Sequence, residues 1–381
     1  MTKIYLIRHA EAEGNLYRRI HGQYDSLVTP RGYRQIEALA ERFRDVKIDA
    51  LYASDLRRTQ ITAGAILKYH DLKLNIDPRL KEVSMGIWED ETWGTVVAED
   101  PEQFFYFSND PEKWNIPGGE SFLHLRERIT EAVLDLAARH DGQTIACVRH
   151  GMAIRAFISG VLGVPSEEIC KVQHGDNTCV ALLEVENGRV EIEYYNDNSH
   201  LTGKLSTFAN QTWWRDDGKA VVDLTNLRFE PMDLDKDAEL YCNCYQEGWE
   251  QAHGTLSGFS KEPYLRCAMR VSKNDPQTLM KAYHGDDFAG IIELDPERMA
   301  AERAGWVSLV YVVPEFRGRA YGLQLMGHAI SYYRKRGRKC IRLHVAETNA
   351  HALAMYDGMG FHCIDVSEGN VAMLRMLEKE I

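Results

Sequence analysis

Short blocks of apolar residues recur along this chain at two periods, and they predict an alternation of strands and helices. Residues 4–7 form an apolar run of the kind that makes a buried parallel strand, and Arg8 and His9 follow it at once. From residue 32 to 44, Ile36, Leu39, Ala40 and Phe43 share one helical face, with Thr29 and Pro30 as cap and first-turn proline. Residues 51–53 predict a second strand, ending at Ser54 and Asp55. A helix from residue 56 to about 69 follows and puts Arg58 in its electropositive first turn. Between residues 84 and 119 the periodicity breaks down into Trp, Phe, Pro and acidic residues, and this segment reads as a lid over the site. A helix over 122–139 carries Leu125, Ile129, Val133 and Leu136 in phase. The strand at 144–148 delivers His150 at its carboxyl end, as the first strand delivers His9. A helix over 153–162 stops at Gly163 and Pro165. Strands 179–185 and 190–195 flank Asn187-Gly188, a strong hairpin signal.

Residues 196–220 are polar and turn-rich, apart from Trp213 and Trp214, and a boundary is placed there. The expected organisation is a first domain over 1–205, a linker over 206–222 and a second domain over 223–381. In the second part, strands are expected at 227–229, 288–294, 306–313, 340–345, 361–366 and 371–377. Helices are expected at 235–249, at about 321–335 behind a Gly-rich turn, and at 349–359. Residues 256–284 give no readable pattern. Each half carries its own apolar strands, so each is expected to bury its own core and to be separable.

A length of 381 residues suits two domains, and the formal charge of −12 argues against general nucleic-acid affinity while permitting a local cationic pocket. The eight cysteines include no Cys-x-x-Cys pair, and Cys242 and Cys244 stand too close for a usual zinc knuckle, so no metal is expected. The N-terminus has no charged-then-apolar signal segment, and no apolar run is long enough for a bilayer. A cytoplasmic protein with reduced thiols, without membrane association, is the expectation; the oligomeric state stays open.

An imidazole beside a guanidinium at a strand end suits attack on a phosphoryl group, whose spread negative charge asks for cations and donors. Four further segments join Arg8-His9-Ala10-Glu11-Ala12-Glu13-Gly14-Asn15. They are Ser54-Asp55-Leu56-Arg57-Arg58-Thr59-Gln60-Ile61-Thr62-Ala63, Leu80-Lys81-Glu82-Val83-Ser84-Met85-Gly86-Ile87-Trp88-Glu89, Gly118-Gly119-Glu120-Ser121 and Val148-Arg149-His150-Gly151. In this order they resemble the histidine phosphatase superfamily, which includes phosphoglycerate mutases. The sequence departs from the family pattern at Ala10, Ala12 and Asp90, and at Arg149, where a small hydroxyl residue is usual. The resemblance implies a three-layer α/β/α, phosphoglycerate mutase-like sheet and a metal-independent phosphomonoesterase that needs no cofactor. His9 would be the nucleophile, forming a phosphohistidine, with its other nitrogen held by a backbone carbonyl. Arg8, Asn15, Gly22, Arg58, His150 and Gly151 would bind the phosphate. Glu82 would protonate the leaving oxygen, with its carboxyl tuned by burial or a neighbouring carboxylate. Glu11 and Glu120 are lesser candidates, Glu11 as an orienting residue. A small phosphorylated metabolite is the expected substrate, and mutase-type phosphoryl transfer is the alternative.

In the second half, Val312-Val313-Pro314-Glu315-Phe316-Arg317-Gly318-Arg319-Ala320-Tyr321-Gly322 resembles the acetyl-CoA signature of GNAT-type N-acetyltransferases, with Ala320 in a usual Gly position. Exposed amides at such a strand-to-helix turn cradle a pyrophosphate. Asn349-Ala350-His351-Ala352-Leu353-Ala354-Met355-Tyr356-Asp357-Gly358-Met359-Gly360-Phe361 looks like that family's second CoA segment. The resemblance implies an α+β GNAT fold with a mixed, mostly antiparallel sheet, acetyl-CoA as cosubstrate and an amine acceptor. Val312, Val313, Arg317, Gly318, Arg319, Ala320, Gly322, Leu323 and Asn349 would hold the cofactor. An amide near Val312 would polarise the thioester, and Tyr356 would protonate the departing thiolate. Glu293 and Glu347 are both candidates for the base. The alternative is a second domain that senses acetyl-CoA without turning it over.

Overall fold

The computed structural model describes residues 1–210 and 226–381, and the chain divides into two compact units, one built mainly before and one mainly after the intervening residues. Trp213, Trp214 and most of the expected 206–222 linker lie outside the described residues. Among the described residues no helix is long and apolar enough to cross a membrane.

The first unit has a six-stranded sheet made of β1 (Thr2–Arg8), β2 (Ala50–Ala53), β3 (Leu74–Ile76), β4 (Thr144–Arg149), β5 (Val180–Glu186) and β6 (Arg189–Asp197). Their order is β3-β2-β4-β1-β5-β6. The pairing of β1 with β4 is parallel and in register from Lys3↔Thr144 to Arg8↔Arg149, so His9 and His150 leave the sheet side by side. The side chains of Ile7, Leu51, Ala146 and Val148 pack with Ile36, Leu39 and Phe43 of helix Pro30–Phe43 and with Ala63 and Ile66 of helix Arg57–Leu67. Helices Phe122–Arg139 and Gly151–Val161 pack together and against β1, which completes a three-layer α/β/α arrangement. Thr29 accepts the amide of Gly32 at the start of Pro30–Phe43, the cap that its sequence predicted. Asn187 and Gly188 both have positive φ, +50° and +78°, as a two-residue type I′ hairpin turn requires.

Residues 84–119 contain more regular structure than their pattern predicted, namely helices Trp93–Glu99 and Pro101–Asn109. Pro101–Asn109 buries none of its residues, so it leaves no apolar stripe in the sequence. At the other end, Ser206, Thr207 and Phe208 are packed chain of the first unit. The amides of Thr207 and Phe208 donate to Asp176, and Gln35 donates to Leu205 O and Thr207 Oγ1.

The second unit has seven strands: β7 (Arg228–Pro231), β8 (Leu279–His284), β9 (Asp287–Asp295), β10 (Ala304–Val312), β11 (Cys340–Ala346), β12 (His362–Glu368) and β13 (Met373–Glu380). Their order is β12-β13-β11-β10-β9-β8-β7, and every pairing is antiparallel except β10 with β11. That parallel pairing runs only from Ala304↔Cys340 to Val307↔Leu343. Beyond it β10 continues to Val312 and β11 to Ala346 without pairing, and β10 carries a register shift between Val307 and Leu309. The two strands therefore part into a cleft. Residues of helices Leu234–His253 and Lys261–Asn274 cluster with Ile291, Leu309 and Tyr311. Helices Tyr321–Lys335 and Ala350–Gly358 cluster instead with Ile292, Leu294 and Val307. The unreadable residues 256–284 prove to hold Lys261–Asn274 and β8. That helix buries only Ala268 and Val271, too few to set a period.

Candidate active sites

The first site is assembled where β1 and β4 end. His9 is almost fully buried, and its Nδ1 lies 2.7 Å from the Ala10 carbonyl oxygen, which can only accept. The proton is therefore on Nδ1, and Nε2 carries the free lone pair. Burial, with Arg58 and Arg8 close by, holds His9 well below the ordinary histidine range, so it is neutral at pH 7. Its own backbone is fixed. The amide of His9 donates to Arg149 O, and its carbonyl accepts from Thr178 N and from Asn177 Nδ2.

Arg58 enters from the second position of helix Arg57–Leu67 and is fully buried. Its Nη1 donates to Tyr24 O, and its Nη2 donates to Gly22 O at 2.7 Å and His21 O at 3.2 Å. The same Nη2 stands 3.1 Å from His150 Nδ1. A guanidinium only donates, so His150 accepts on Nδ1 and donates from Nε2 to Ser54 Oγ at 2.8 Å. Burial pushes Arg58 down to about 10, which leaves it charged at neutral pH. Its Nε is buried without a partner, and so is Nε of Arg8, whose Nη1 donates to Gly175 O. Two guanidiniums at one site thus keep unspent donors while no described carboxylate pairs with either. Such donors suit an anion.

Glycines let these pieces meet. A Cβ on Gly22 would come within 2.3 Å of Val83 O, and one on Gly151 within 3.2 Å of Arg8 Nε. Asn15 lies beside them, its Oδ1 accepting from Ala12 N and, at 3.4 Å, from Asn177 Nδ2. Glu82 caps the helix that follows His150, accepting from Met152 N at 3.0 Å and Ala153 N at 2.9 Å, and also from Val83 N. Its neighbours are amide donors, not the second carboxylate that the sequence reading allowed for. Glu11 is buried and tied to Thr29, Arg31 and Thr207, and Glu120 pairs with Arg128 and His124. Both hold the scaffold and do not face His9 directly; Arg128 in turn donates to the carbonyls of Arg79 and Lys81, next to Glu82.

Sequence reasoning missed three contributors. His21 packs edge-on to the His9 ring, with centroids 5.6 Å apart, and burial holds it well below the ordinary histidine range. Glu89 accepts the amides of Gln23, Tyr24 and Met85, fixing the loop that Arg58 grips. Asn177 is fully buried, with its Oδ1 unpartnered. Beside it Thr178 has φ +60°, a strained conformation for a β-branched residue. The polar run Asp176-Asn177-Thr178, placed just before a strand that pairs with β1, was the available signal.

The departure at Arg149 is fully buried. Its Nη2 donates to Ala153 O, its Nε and Nη1 have no partner, and Phe157 lies 5.8 Å from the guanidinium carbon. Burial pushes it down to about 9.

The second site surrounds the cleft between β10 and β11. The amide of Val313 donates to Ala289 O on β9, and successive strand amides point to opposite edges, so that of Val312 faces the cleft. Arg317 folds back, with its Nε on Val312 O at 2.9 Å and its Nη2 on Glu247 at 2.6 Å. Gly318 has φ +77° with open space around it, and Arg319 lies over the Phe316 ring. Ala320 has φ +62°, immediately before helix Tyr321–Lys335, which is why glycine is usual there. Gly322 is a close approach, since a Cβ would meet Met355 Sδ at 2.7 Å, and Leu323 N donates to Ala320 O. Asn349 caps helix Ala350–Gly358 by accepting from Ala352 N. Tyr356 of that helix is buried against Phe361, and burial alone pushes its hydroxyl up, so it stays protonated. The two acids separate here. Glu347 is exposed and paired with Arg375, whereas Glu293 is buried and accepts from the Tyr241 hydroxyl.

Comparison with known proteins agrees with this geometry. Residues 4–198 match the histidine phosphatase superfamily (branch 1), and residues 238–361 match the acetyltransferase (GNAT) family. Over 166 residues the chain is 37% identical to the probable phosphoglycerate mutase GpmB of Enterobacter sp. (strain 638), spanning 44% of this chain and 77% of that protein. The GpmB of Escherichia fergusonii is 34% identical over the same shares. Among solved structures, Bacillus stearothermophilus YhfR superposes with a TM-score of 0.51 at 30% identity, covering 52% of this chain and 99% of that one.

Proposed function

This chain belongs to the histidine phosphatase superfamily (branch 1), and on that premise we propose that it is a bifunctional enzyme, a metal-independent phosphomonoesterase joined to an acetyl-CoA-dependent N-acetyltransferase. The observation that carries the first activity is the His9 ring, neutral and with its Nδ1 proton committed to Ala10 O. Nε2 attacks phosphorus, the N–P bond forms as the ester P–O bond breaks, and the leaving oxygen takes a proton from Glu82. Water then attacks the phosphohistidine, giving its proton back to Glu82, and inorganic phosphate leaves. Arg8, Arg58 and His150, with Asn15 and the close approach at Gly22 and Gly151, hold the transferring group; the guanidinium donors of Arg8 and Arg58 strengthen as charge develops on it.

Mutase-type transfer is the second reading, favoured by the names of the GpmB relatives. Against it, a mutase must also hold the carboxylate of a returning product. Two of the guanidiniums that follow Arg8, Arg19 and Arg31, are already paired with Asp90 and Glu11. Incubation with p-nitrophenyl phosphate and with 3-phosphoglycerate decides between them. Phosphate release from both supports the esterase, and isomerisation without release establishes the mutase.

In the second unit the turn from Arg317 to Leu323 and Asn349 would seat acetyl-CoA. The Val312 amide would polarise the thioester, and Tyr356 would supply the thiolate's proton. Glu293 is the base this reading selects. The two activities belong to separable domains, and a chain cut near Gly218 should leave each piece its own activity; if either piece is inactive while the whole chain works, that modular reading fails. Calorimetry with acetyl-CoA, followed by CoA release on adding amines, tests the transferase against the sensor alternative.

A further inference from the structure

Glu293 stands on β9 beside Leu309, at the register shift of β10 just before β10 and β11 part. The residue is 5% exposed. Its Oε2 accepts from Tyr241 at 2.9 Å, and among the described residues Oε1 has neither a cation nor an amide donor. A buried carboxyl with so little support is costly to ionise, and burial pushes it up to about 7.

Aromatic rings crowd the same face. Tyr245 stacks on Tyr264 at 4.2 Å between centroids, Phe259 lies parallel to Tyr264 within 12°, and Trp249 reaches Phe259 at 5.7 Å. They come from helices Leu234–His253 and Lys261–Asn274 and the turn between them. Unlike Tyr241, these four keep part of their surface exposed. Two buried donors in the cluster, Trp249 Nε1 and His253 Nδ1 (the latter a donor in one tautomer), have no partner. A closed hydrophobic core rarely leaves a carboxylate oxygen and an indole N–H unmet together. Half-exposed aromatic faces around a lone carboxyl suit a ligand that is cationic at one end and flat and apolar at the other.

We propose that this cluster is the acceptor site, and that the acceptor is a primary amine carried on an aromatic body, an arylalkylamine. The inference rests on the acetyl-transfer reading above. The ammonium group lies toward Glu293 while its ring packs on Trp249, Phe259 and Tyr264. Glu293, when ionised, takes one proton from the ammonium. The amine nitrogen attacks the thioester carbonyl, a C–N bond forms, the C–S bond breaks, and the thiolate takes the Tyr356 proton. The excess proton on nitrogen returns to Tyr356 through solvent, and Glu293 releases its own to solvent, so the balance is amide, CoA thiol and one proton. A polycation would need several carboxylates, but Asp295, whose charge bears on Glu293, already accepts the amides of Glu297 and Arg298, and Glu247 is engaged by Arg317.

The full chain is tested with acetyl-CoA and four amines, tyramine, tryptamine, spermidine and a lysine peptide, following CoA thiol release. Tyramine or tryptamine should exceed the other two at least tenfold in kcat/KM. Trp249→Ala should raise the KM for the amine about tenfold with acetyl-CoA affinity by calorimetry unchanged, and Trp249→Phe should restore most of it. Glu293→Gln should lower kcat and remove the acid limb of its pH profile near 7. Preference for spermidine or the peptide overturns the proposal, as does an unchanged KM in Trp249→Ala or no thiol release from any amine while acetyl-CoA binds. Absence of acetyl-CoA binding would instead sink the acetyl-transfer reading itself, and the proposal with it.

Discussion

In the first unit two buried guanidiniums, Arg58 and Arg149, keep nitrogens without a hydrogen-bond partner among the described residues, beside histidines kept neutral; in the second a buried carboxyl, Glu293, is met by the Tyr241 hydroxyl alone. Neither arrangement is explained by stability, because an unmatched buried charge costs several kcal/mol (about 3–5 when a buried pair is broken). Each is explained by a ligand that brings the missing sign. On the proposed reading a phosphoryl group supplies the anion to Arg8 and Arg58, and an ammonium supplies the cation to Glu293. The difference teaches that the sign of an unmet buried charge points to the chemical class of substrate to test.

The comparison can be broken at the first site most sharply. His9→Ala should abolish phosphatase turnover, a loss on the order of 10³-fold or more, and leave acetyl-CoA binding untouched. Arg58→Met should cost roughly 10²–10³-fold in kcat/KM for the phosphoester. Its thermal unfolding midpoint should fall, since the variant leaves the carbonyls of Tyr24, Gly22 and His21 and the His150 Nδ1 without their donor. Glu82→Gln should slow an alkyl phosphate about 10²-fold and p-nitrophenyl phosphate much less, because nitrophenolate leaves without a proton. Equal losses on both esters would count against the acid role.

The pH dependence of stability sharpens the contrast, since Glu293 should act with the sign opposite to that of the buried histidines. Burial holds His9, His21, His150 and His174 well below 6.5, so the unfolded chain binds more protons than the folded one below that value. Their contribution is complete above about pH 6.5 and is lost as pH falls, by up to about 1.4 kcal/mol per pH unit for each histidine. Glu293 is raised from 4.5 to about 7, so its contribution is complete below about 4.5 and is lost as pH rises through 7. Calorimetric unfolding from pH 5 to 8 should therefore show one transition climbing with pH, and Glu293→Gln should relieve the opposing fall in the other. A smaller effect is expected at Ala320. Ala320→Gly should stabilise by about 1 kcal/mol or less, because φ +62° suits glycine, with no loss of acetyl-CoA affinity.

Legibility in the sequence followed burial. Strands such as Thr2–Arg8 and helices such as Phe122–Arg139 announce themselves because each buries a full stripe, and the first and last site motifs sit at the ends of strands Thr2–Arg8 and Thr144–Arg149. The helices Pro101–Asn109 and Lys261–Asn274 bury too little to leave a period, so they were unreadable. Arg8, His9, Arg58, Glu82 and His150 were visible because motif order ties them to strand ends. Asn177 and His21 were not, since both lie in loops that carry no periodic pattern, the first held by the bond from Ser206 to Asp176 and the second by Ser26. Glu293 and Glu347 were indistinguishable in the sequence; Glu293 lies within β9 and is buried, whereas Glu347 lies just past the end of β11 and is exposed.

The central claim is that a neutral His9 takes the phosphoryl group in a site built for an anion. Rapid quenching of the full chain with a ³²P-labelled phosphomonoester tests it most directly. The account predicts an acid-labile, base-stable label on His9, absent from His9→Ala together with turnover. An acid-stable label, or turnover that persists in His9→Ala, would contradict it.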